Sequence, residues 1–331
     1  MDADREAEVN APFPYFGGKK TVAPLVWAAL GQPKNYIEPF FGSGAVLLAR
    51  PDYQPKTHIE TICDADGFVA NVWRALQFSP DETAKWCDWP VNHADLVARK
   101  AKLLINQAML LEGLSRDDEW HDPKMAGYWI WAASCWIGSG MTNPNKRPHI
   151  SHGGKGVHKL SQIPHISNSG KGVQEPYNVP IYTWFRELSE RLRNVRVVCG
   201  DWTRVCGGNW QDAGGDVGIF FDPPYGVKDR SEVYDQDSTD VAADVMAWCL
   251  ERGARPSYRI VLAGYEEHSD LLNNGWTMQR WKANGGYGNM GKGRGMENRH
   301  REVLYYSPHC LNPKQGALSL EPVSNPCELK P

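Results

Sequence analysis

The tetrapeptide Asp222-Pro223-Pro224-Tyr225 brings together three groups that could bind an amine. It follows an apolar run, residues 217–221, that predicts a buried strand. Prolines end a strand because they lack an amide donor and fix φ, so the Pro223 carbonyl is left without a ladder donor. This carbonyl and the Asp222 carboxylate could accept the two hydrogens of an exocyclic amine, while the Tyr225 ring stacks on the heterocycle. The alternative interpretation is an ordinary Pro-Pro turn.

A second constellation is the glycine-rich turn Glu38-Pro39-Phe40-Phe41-Gly42-Ser43-Gly44, at the end of a short predicted strand. Open α/β sheets bind ligands there, and Asp64, at the end of the next predicted strand, could grip a ribose hydroxyl. A dinucleotide-binding fingerprint is not matched, because its third glycine would fall at Leu47. A phosphate-binding P-loop that ends at Gly18-Lys19 is not matched either, because its first glycine would fall at Phe13. The turn favours an adenosine-type ligand with little phosphate; a structural turn is the alternative.

Two glycine- or asparagine-rich stretches are locally basic. Residues 141–171 hold five Lys/Arg, four His and no acid, and residues 279–301 hold six Lys/Arg and one acid. We interpret them as contacts to a nucleic-acid backbone, with solvated loops as the alternative. The histidine spacing matches no zinc finger, so no metal is expected. The candidate DNA-binding residues are Lys146, Arg147, His149, Lys155, His158, Lys159, Lys171, Lys292 and Arg294.

The elements that position these residues follow an α/β pattern. Between residues 35 and 76 the order strand, glycine turn, helix, strand and acid predicts a βαβ unit, and therefore a parallel sheet. The pattern resumes at Ile181 and ends in a predicted hairpin. We predict a split α/β domain that consists of residues 1–75 and 181–310. A second domain, residues 76–180, is inserted into it, and a disordered tail follows at residues 311–331.

The segment between the two α/β portions has a different character. It predicts amphipathic helices over 91–111 and 124–137, followed by a near-repeat, HISHGGKGV at 149–157 and HISNSGKGV at 165–173. Two copies are too few for a solenoid, so we expect a duplicated loop or a pair of hairpins. The tryptophans at helical spacing in the second helix are expected to be core residues.

The amino-acid composition is that of an ordinary globular protein. The chain has 331 residues, a net charge of −3, 41% hydrophobic and 23% charged residues, which excludes a disordered, fibrous or coiled-coil protein. No apolar run approaches the roughly 20 residues of a membrane span. Eight cysteines without a Cys-x-x-Cys pair predict reduced thiols and a cytoplasmic location.

Taken together, the motifs resemble those of the Dam-like, alpha-group DNA adenine methyltransferases. Tyr15-Phe16-Gly17-Gly18-Lys19 is similar to that family's first cofactor motif, Glu38–Gly44 to its glycine motif, and Asp222–Tyr225 to its catalytic tetrapeptide. Asp64 matches the family's ribose-binding acid, Gly200-Asp201-Trp202 resembles its Asp-aromatic element near the cofactor adenine, and Glu302-Val303-Leu304 resembles its late strand. The resemblance covers about residues 1–75 and 181–307. The family's Asn-Gly-Leu-x-Arg element is replaced here by Ile137-Gly138-Ser139-Gly140.

The resemblance implies a Rossmann-like class I methyltransferase sheet with an inserted, mainly helical target-recognition domain. It implies S-adenosylmethionine as cofactor, with Lys19 and the Gly42–Gly44 backbone at its amino-acid end, Asp64 at its ribose and Asp201 near its adenine. The full cofactor set is Tyr15, Lys19, Glu38, Pro39, Phe40, Gly42, Ser43, Gly44, Asp64, Asp201 and Asp222.

The implied substrate is double-stranded DNA, from which the target adenine is flipped out so that its amine can be reached. Asp222, Pro223, Pro224 and Tyr225 would be the catalytic residues. Three alternatives stay open, namely a catalytically silent nucleic-acid-binding module, methylation of RNA adenine and methylation of cytosine N4 in DNA. The recognition sequence, the choice of monomer or dimer, a companion restriction endonuclease and a cellular or phage origin also stay open.

Overall fold

The computed structural model describes residues 10–13, 19–136, 141–143, 173, 179–224, 238–265, 269–281 and 302–311. Its centre is a seven-stranded sheet in the order β3-β2-β1-β4-β5-β7-β6. The first five strands run parallel, and β7 runs antiparallel to both of its neighbours. The strands are β1 (Asn35–Glu38), β2 (Ile59–Asp64), β3 (Val195–Cys199), β4 (Val217–Phe221), β5 (Tyr258–Tyr265), β6 (Thr277–Arg280) and β7 (Glu302–Tyr306).

This mixed α/β architecture is compatible with a Rossmann-like fold. The chain moves outward from β1 to β3 and then returns to β4 on the other side of β1, so the strand order reverses between β1 and β4. Such a reversal opens a crevice at the carboxyl ends of the two strands, where open α/β sheets bind ligands. The five residues of β4 are all buried, as expected for a parallel strand that is covered on both faces.

Ten α-helices lie in the described ranges, together with a short 3-10 helix at Trp210–Gly214. Capping side chains start several of them, because Asp66, Asn92 and Asp122 each accept a backbone N–H of the first turn. The helices are α1 (Ala23–Leu30), α2 (Ala45–Leu48), α3 (Gly67–Phe78), α4 (Pro80–Cys87), α5 (His93–Arg116), α6 (Pro123–Cys135), α7 (Ile181–Leu192), α8 (Thr203–Cys206), α9 (Ser238–Gly253) and α10 (Ser269–Asn273).

Two apolar clusters cover the two faces of the sheet. Adjacent strand residues point to opposite faces, and Phe220 accordingly joins one cluster while Phe221 joins the other. Helices α4, α5 and α6 contribute to the first cluster alongside α1 and α3. The described part of the predicted inserted segment therefore shares a core with the α/β region. A separate recognition domain stays a prediction, since the near-repeat lies outside the described residues except for Val173.

The structure confirms the expected core role for Trp129, which is 5% exposed, and for Trp131, which is fully buried, whereas Trp136 lies just past the end of α6 and is only partly buried against the same cluster. All seven cysteines of the described ranges are free thiols. Within those ranges no helix is long and apolar enough to cross a membrane. The predicted tail, residues 311–331, lies outside the described part from residue 312 onward.

Candidate active site

The two predicted chemical motifs meet at one edge of the sheet. Strands β1 and β4 are hydrogen-bonded neighbours, with Ile37 opposite Ile219. Because the strands are parallel, the turn that follows Glu38 and the segment Asp222–Pro224 leave the sheet side by side. β2 lies on the other side of β1 and β3 lies beyond it, so Asp64 and Asp201 extend the same edge.

Lys19 and Asp222 form an ion pair at the centre of this edge. The Lys19 Nζ atom lies 2.9 Å from Asp222 Oδ2, and the two side chains are 6% and 22% exposed. The Lys19 carbonyl accepts the N–H groups of Val22 and Ala23 at 3.1 and 3.0 Å, which fixes the residue at the start of α1. A lysine from the first predicted cofactor motif thus pairs with the acid of the Asp222–Tyr225 tetrapeptide.

Glu38, the last residue of β1, is buried. The Tyr36 hydroxyl donates to Glu38 Oε2 at 2.8 Å. Burial raises the pKa of the Glu38 carboxyl well above its ordinary value; the Tyr36 hydrogen bond opposes the rise, and the neighbouring charge of Asp222 adds to it. The edge therefore combines a paired carboxylate with a carboxyl group that favours its neutral form.

The glycine-rich turn is held from both sides. The Gly42 N–H donates to Asp64 Oδ2 at 2.9 Å, and the Gly42 carbonyl accepts from the Trp73 indole at 2.9 Å. Gly42 and Gly44 have φ of 49° and 66°, in the left-handed region that favours glycine. A Cβ on Gly44 would lie 2.5 Å from the Phe41 ring. Both the backbone conformation and the lack of space require glycine at this position.

Asp64 links the glycine turn to α3. Its second oxygen, Oδ1, accepts the Asp66 N–H at 2.9 Å. Burial raises the pKa of Asp64 to about 7; the charge of Asp66 adds to the rise, and the two backbone hydrogen bonds oppose it. A carboxylate has about four acceptor sites, so Asp64 retains capacity to accept ribose hydroxyls.

The end of β3 adds Asp201 to the edge. The Gly200 N–H donates to the Asp64 carbonyl at 2.9 Å, which ties the two strand ends together. Asp201 is exposed, and its Oδ1 accepts the backbone N–H of Thr203 at 2.9 Å together with the Thr203 hydroxyl. The observed role of Asp201 is to start α8, and its predicted contact with an adenine ring stays a prediction.

Of the remaining predicted cofactor residues, Pro39 and Ser43 are buried in the turn, and Phe40 packs on Phe221 with ring centroids 6.3 Å apart. Two predicted aromatic groups, Tyr15 and Tyr225, lie outside the described residues. So do all the predicted DNA-binding residues, Lys146, Arg147, His149, Lys155, His158, Lys159, Lys171, Lys292 and Arg294. The described ranges contain no group of three or more His, Cys, Asp or Glu side chains that could hold a metal ion.

Sequence reasoning missed two residues that support this edge, Tyr36 and Trp73. Tyr36 precedes Glu38 by two residues, and that spacing on a strand indicates the same face. Trp73 had no local signal, because its partner Gly42 lies on a different element. No protein-family model matches this chain, and no curated protein matches it either. The functional assignment therefore rests on the residues themselves.

Proposed function

We propose that the protein is an S-adenosylmethionine-dependent DNA methyltransferase that acts on the N6 amine of adenine. One observation carries the proposal. The ion pair between Lys19 and Asp222, at 2.9 Å, joins the first cofactor motif to the amine-binding tetrapeptide at the sheet edge where the strand order reverses. The cofactor motif and the amine-binding motif are thus adjacent, as a direct transfer between two bound ligands requires.

The order and direction of the strands also support the proposal. The strand order β3-β2-β1-β4-β5 is that of a doubly wound nucleotide-binding sheet. The antiparallel β7, which lies between β5 and β6, is compatible with the class I methyltransferase sheet that the sequence resemblance implies.

The edge has donors and acceptors that suit S-adenosylmethionine. Asp64 can accept the ribose hydroxyls, and the glycine turn brings backbone atoms close to the amino-acid end, a role in which Lys19 is also expected. S-adenosylmethionine, when bound, would supply a methyl carbon whose bond to the sulfonium sulfur breaks as its bond to the amine nitrogen forms, so that a neutral thioether leaves and the amine releases one proton. Within the described residues, the site offers no cluster of metal ligands.

Asp222 and the Pro223 carbonyl bind the target amine in this proposal. The lone pair of an exocyclic amine is delocalised into the ring, which makes the nitrogen a poor nucleophile. Hydrogen bonds from its two N–H groups to Asp222 and to Pro223 favour a pyramidal nitrogen and stabilise the positive charge that develops on it. Lys19 balances the charge of Asp222 and holds its side chain, while the remaining carboxylate lone pairs stay available to the amine.

Radiolabelled methyl transfer to adenine-containing DNA tests this assignment. We expect Asp222→Ala to lower incorporation at least about 100-fold, since a group that stabilises developing charge contributes on the order of 10²–10³ in rate. Asp216→Ala is the matched control, because Asp216 precedes β4 whereas Asp222 follows it, and its exposed side chain pairs with Arg259 at 3.5 Å.

The methyltransferase assignment is supported if the wild-type protein and Asp216→Ala incorporate label to a similar extent and Asp222→Ala does not. The absence of transfer to DNA or RNA by the wild-type protein would favour the catalytically silent binding module. Transfer to RNA alone would replace the proposed substrate.

A further inference from the structure

The indole of Trp73 holds the glycine turn in its ligand-binding conformation. We propose that Trp73 is a positioning residue for S-adenosylmethionine, acting through the Gly42 carbonyl without touching the cofactor. This inference rests on the proposed methyltransferase function and assigns a role to a residue outside every recognised motif of the chain.

The contact that carries the inference is a single hydrogen bond. Trp73 Nε1 donates to the Gly42 carbonyl at 2.9 Å, from a ring that is 1% exposed. Trp73 lies on α3, whose first residues are tied to Asp64 through the Asp66 N–H. The Gly42 backbone is therefore fixed at both of its polar groups, since its N–H donates to Asp64 at the end of β2 and its carbonyl accepts from Trp73 of α3. The contact between Asp64 and Asp66 links these two elements.

The orientation of the next peptide follows from this bond. In a planar trans peptide the carbonyl and the following N–H point in opposite directions. Because the Gly42 carbonyl points at the buried Trp73 ring, the Ser43 N–H points away from that ring. Within the described residues this N–H has no hydrogen-bond partner, although Ser43 is only 8% exposed. A buried backbone N–H needs an acceptor, and the carboxylate of S-adenosylmethionine is the acceptor that we assign to it.

The Trp73 ring packs directly against the residues of the glycine turn. Its centroid lies 4.9 Å from that of Phe41 and 5.8 Å from that of Phe13. A Cβ on Gly44 would meet the Trp73 ring at 3.1 Å, in addition to its clash with Phe41. The turn thus lies directly on the indole, and a change in the indole is transmitted to the turn without passing through another element.

The test compares the equilibrium affinity for S-adenosylmethionine, measured by calorimetry, in Trp73→Phe and in a matched variant. Trp131→Phe is the control, because Trp131 is fully buried and its Nε1 also donates to a backbone carbonyl, that of Trp89 at 3.0 Å. We expect Trp73→Phe to weaken binding about fivefold or more and Trp131→Phe to leave it within twofold.

Trp73→Phe also removes ring volume, and the variant could fail to fold. Site-specific replacement of Trp73 by 3-benzothienylalanine, which keeps the bicyclic shape and puts sulfur in place of the N–H, isolates the hydrogen bond. The inference predicts the same fivefold loss for this variant, with the maximal rate at saturating cofactor unchanged.

Two negative results are distinguishable. Wild-type affinity in the benzothienylalanine variant overturns the role of Trp73 and leaves the proposed function intact. If the wild-type protein itself does not bind S-adenosylmethionine, the proposed function fails together with this inference.

Discussion

Asp64 carries a carboxyl group whose protonation state affects the stability of the fold. It accepts the N–H groups of Gly42 and Asp66, yet burial and the charge of Asp66 raise its pKa from 3.8 to about 7. Since the folded protein holds a proton on Asp64 more tightly than the unfolded chain does, the stability linked to this group is fully present below about pH 4. It is lost as the pH rises through 7.

Asp64→Asn should therefore change the pH dependence of stability. The variant lacks the titrating group, so the free energy of unfolding of the wild-type protein, relative to the variant, should fall by about 3 kcal/mol between pH 5 and pH 8. Urea denaturation at the two pH values measures this difference. Glu38 is present in both proteins and cancels in the comparison, whereas the effect of the Asp66 charge on Asp64 is part of the measured difference. An equal difference at pH 5 and pH 8 would show that Asp64 titrates at its ordinary pKa.

Lys19 is the residue whose position adds most to the sequence interpretation. The resemblance places it at the amino-acid end of the cofactor, whereas the structure pairs it with Asp222. The two roles are compatible because an ammonium group has three donors. No local pattern could have predicted the contact with Asp222, since it depends on how β1 and β4 come together in the sheet.

At the scale of elements, the glycine turn depends on both backbone conformation and space. Gly44 and Gly208 have similar φ values, 66° and 71°, but only Gly44 is crowded, since a Cβ on Gly208 would meet nothing within 4 Å. Gly208→Ala therefore measures the cost of the left-handed backbone alone, about 1–2 kcal/mol.

Gly44→Ala should cost more than Gly208→Ala by at least about 1–3 kcal/mol, because it adds overpacking against Phe41 to the backbone cost. Chemical denaturation of the two variants measures the difference. Equal losses would mean that Phe41 moves aside freely and that the turn is less tightly packed than the structure indicates.

Most elements could be predicted from local patterns. The strand at 217–221 is predicted with its observed bounds, since the apolar run ends just before Asp222-Pro223. Helix α4 was missed, although Pro80 and the two acids that follow it are ordinary first-turn residues. Helix α5 continues to Arg116, beyond the predicted end at residue 111. Helix ends depend on packing and capping contacts that periodicity alone does not reveal.

At the scale of the whole molecule, a buried cluster of charged side chains connects distant parts of the chain at the edge of the sheet opposite the site. Glu60, at the start of β2, pairs with Arg50 at 3.1 Å and with Arg191 of α7 at 2.7 Å. The side chains of Glu60 and Arg50 are fully buried. Arg191 also donates to the Leu47 carbonyl at 2.9 Å. The cluster thus fastens α7, where the chain returns from the intervening segment, to the first half of the sheet.

Glu60→Gln should destabilise the protein by about 3–5 kcal/mol, because it leaves two cations without their carboxylate in a buried site. Asp81→Asn is the control, since it breaks an exposed pair between Asp81 of α4 and Arg186 of α7 at 2.7 Å and should cost at most about 1 kcal/mol. Thermal or urea unfolding measures both. Similar small losses would show that water reaches Glu60.

In the proposed function, the sheet positions Asp222 to bind the adenine amine of DNA that receives the methyl group. Nucleoside mass spectrometry of DNA from a methylation-deficient host that expresses the protein tests this claim most directly, because it identifies the modified base. We predict N6-methyl-2′-deoxyadenosine with the wild-type protein and none with Asp222→Ala. Unmodified DNA, or methylation of cytosine instead of adenine, would contradict the account.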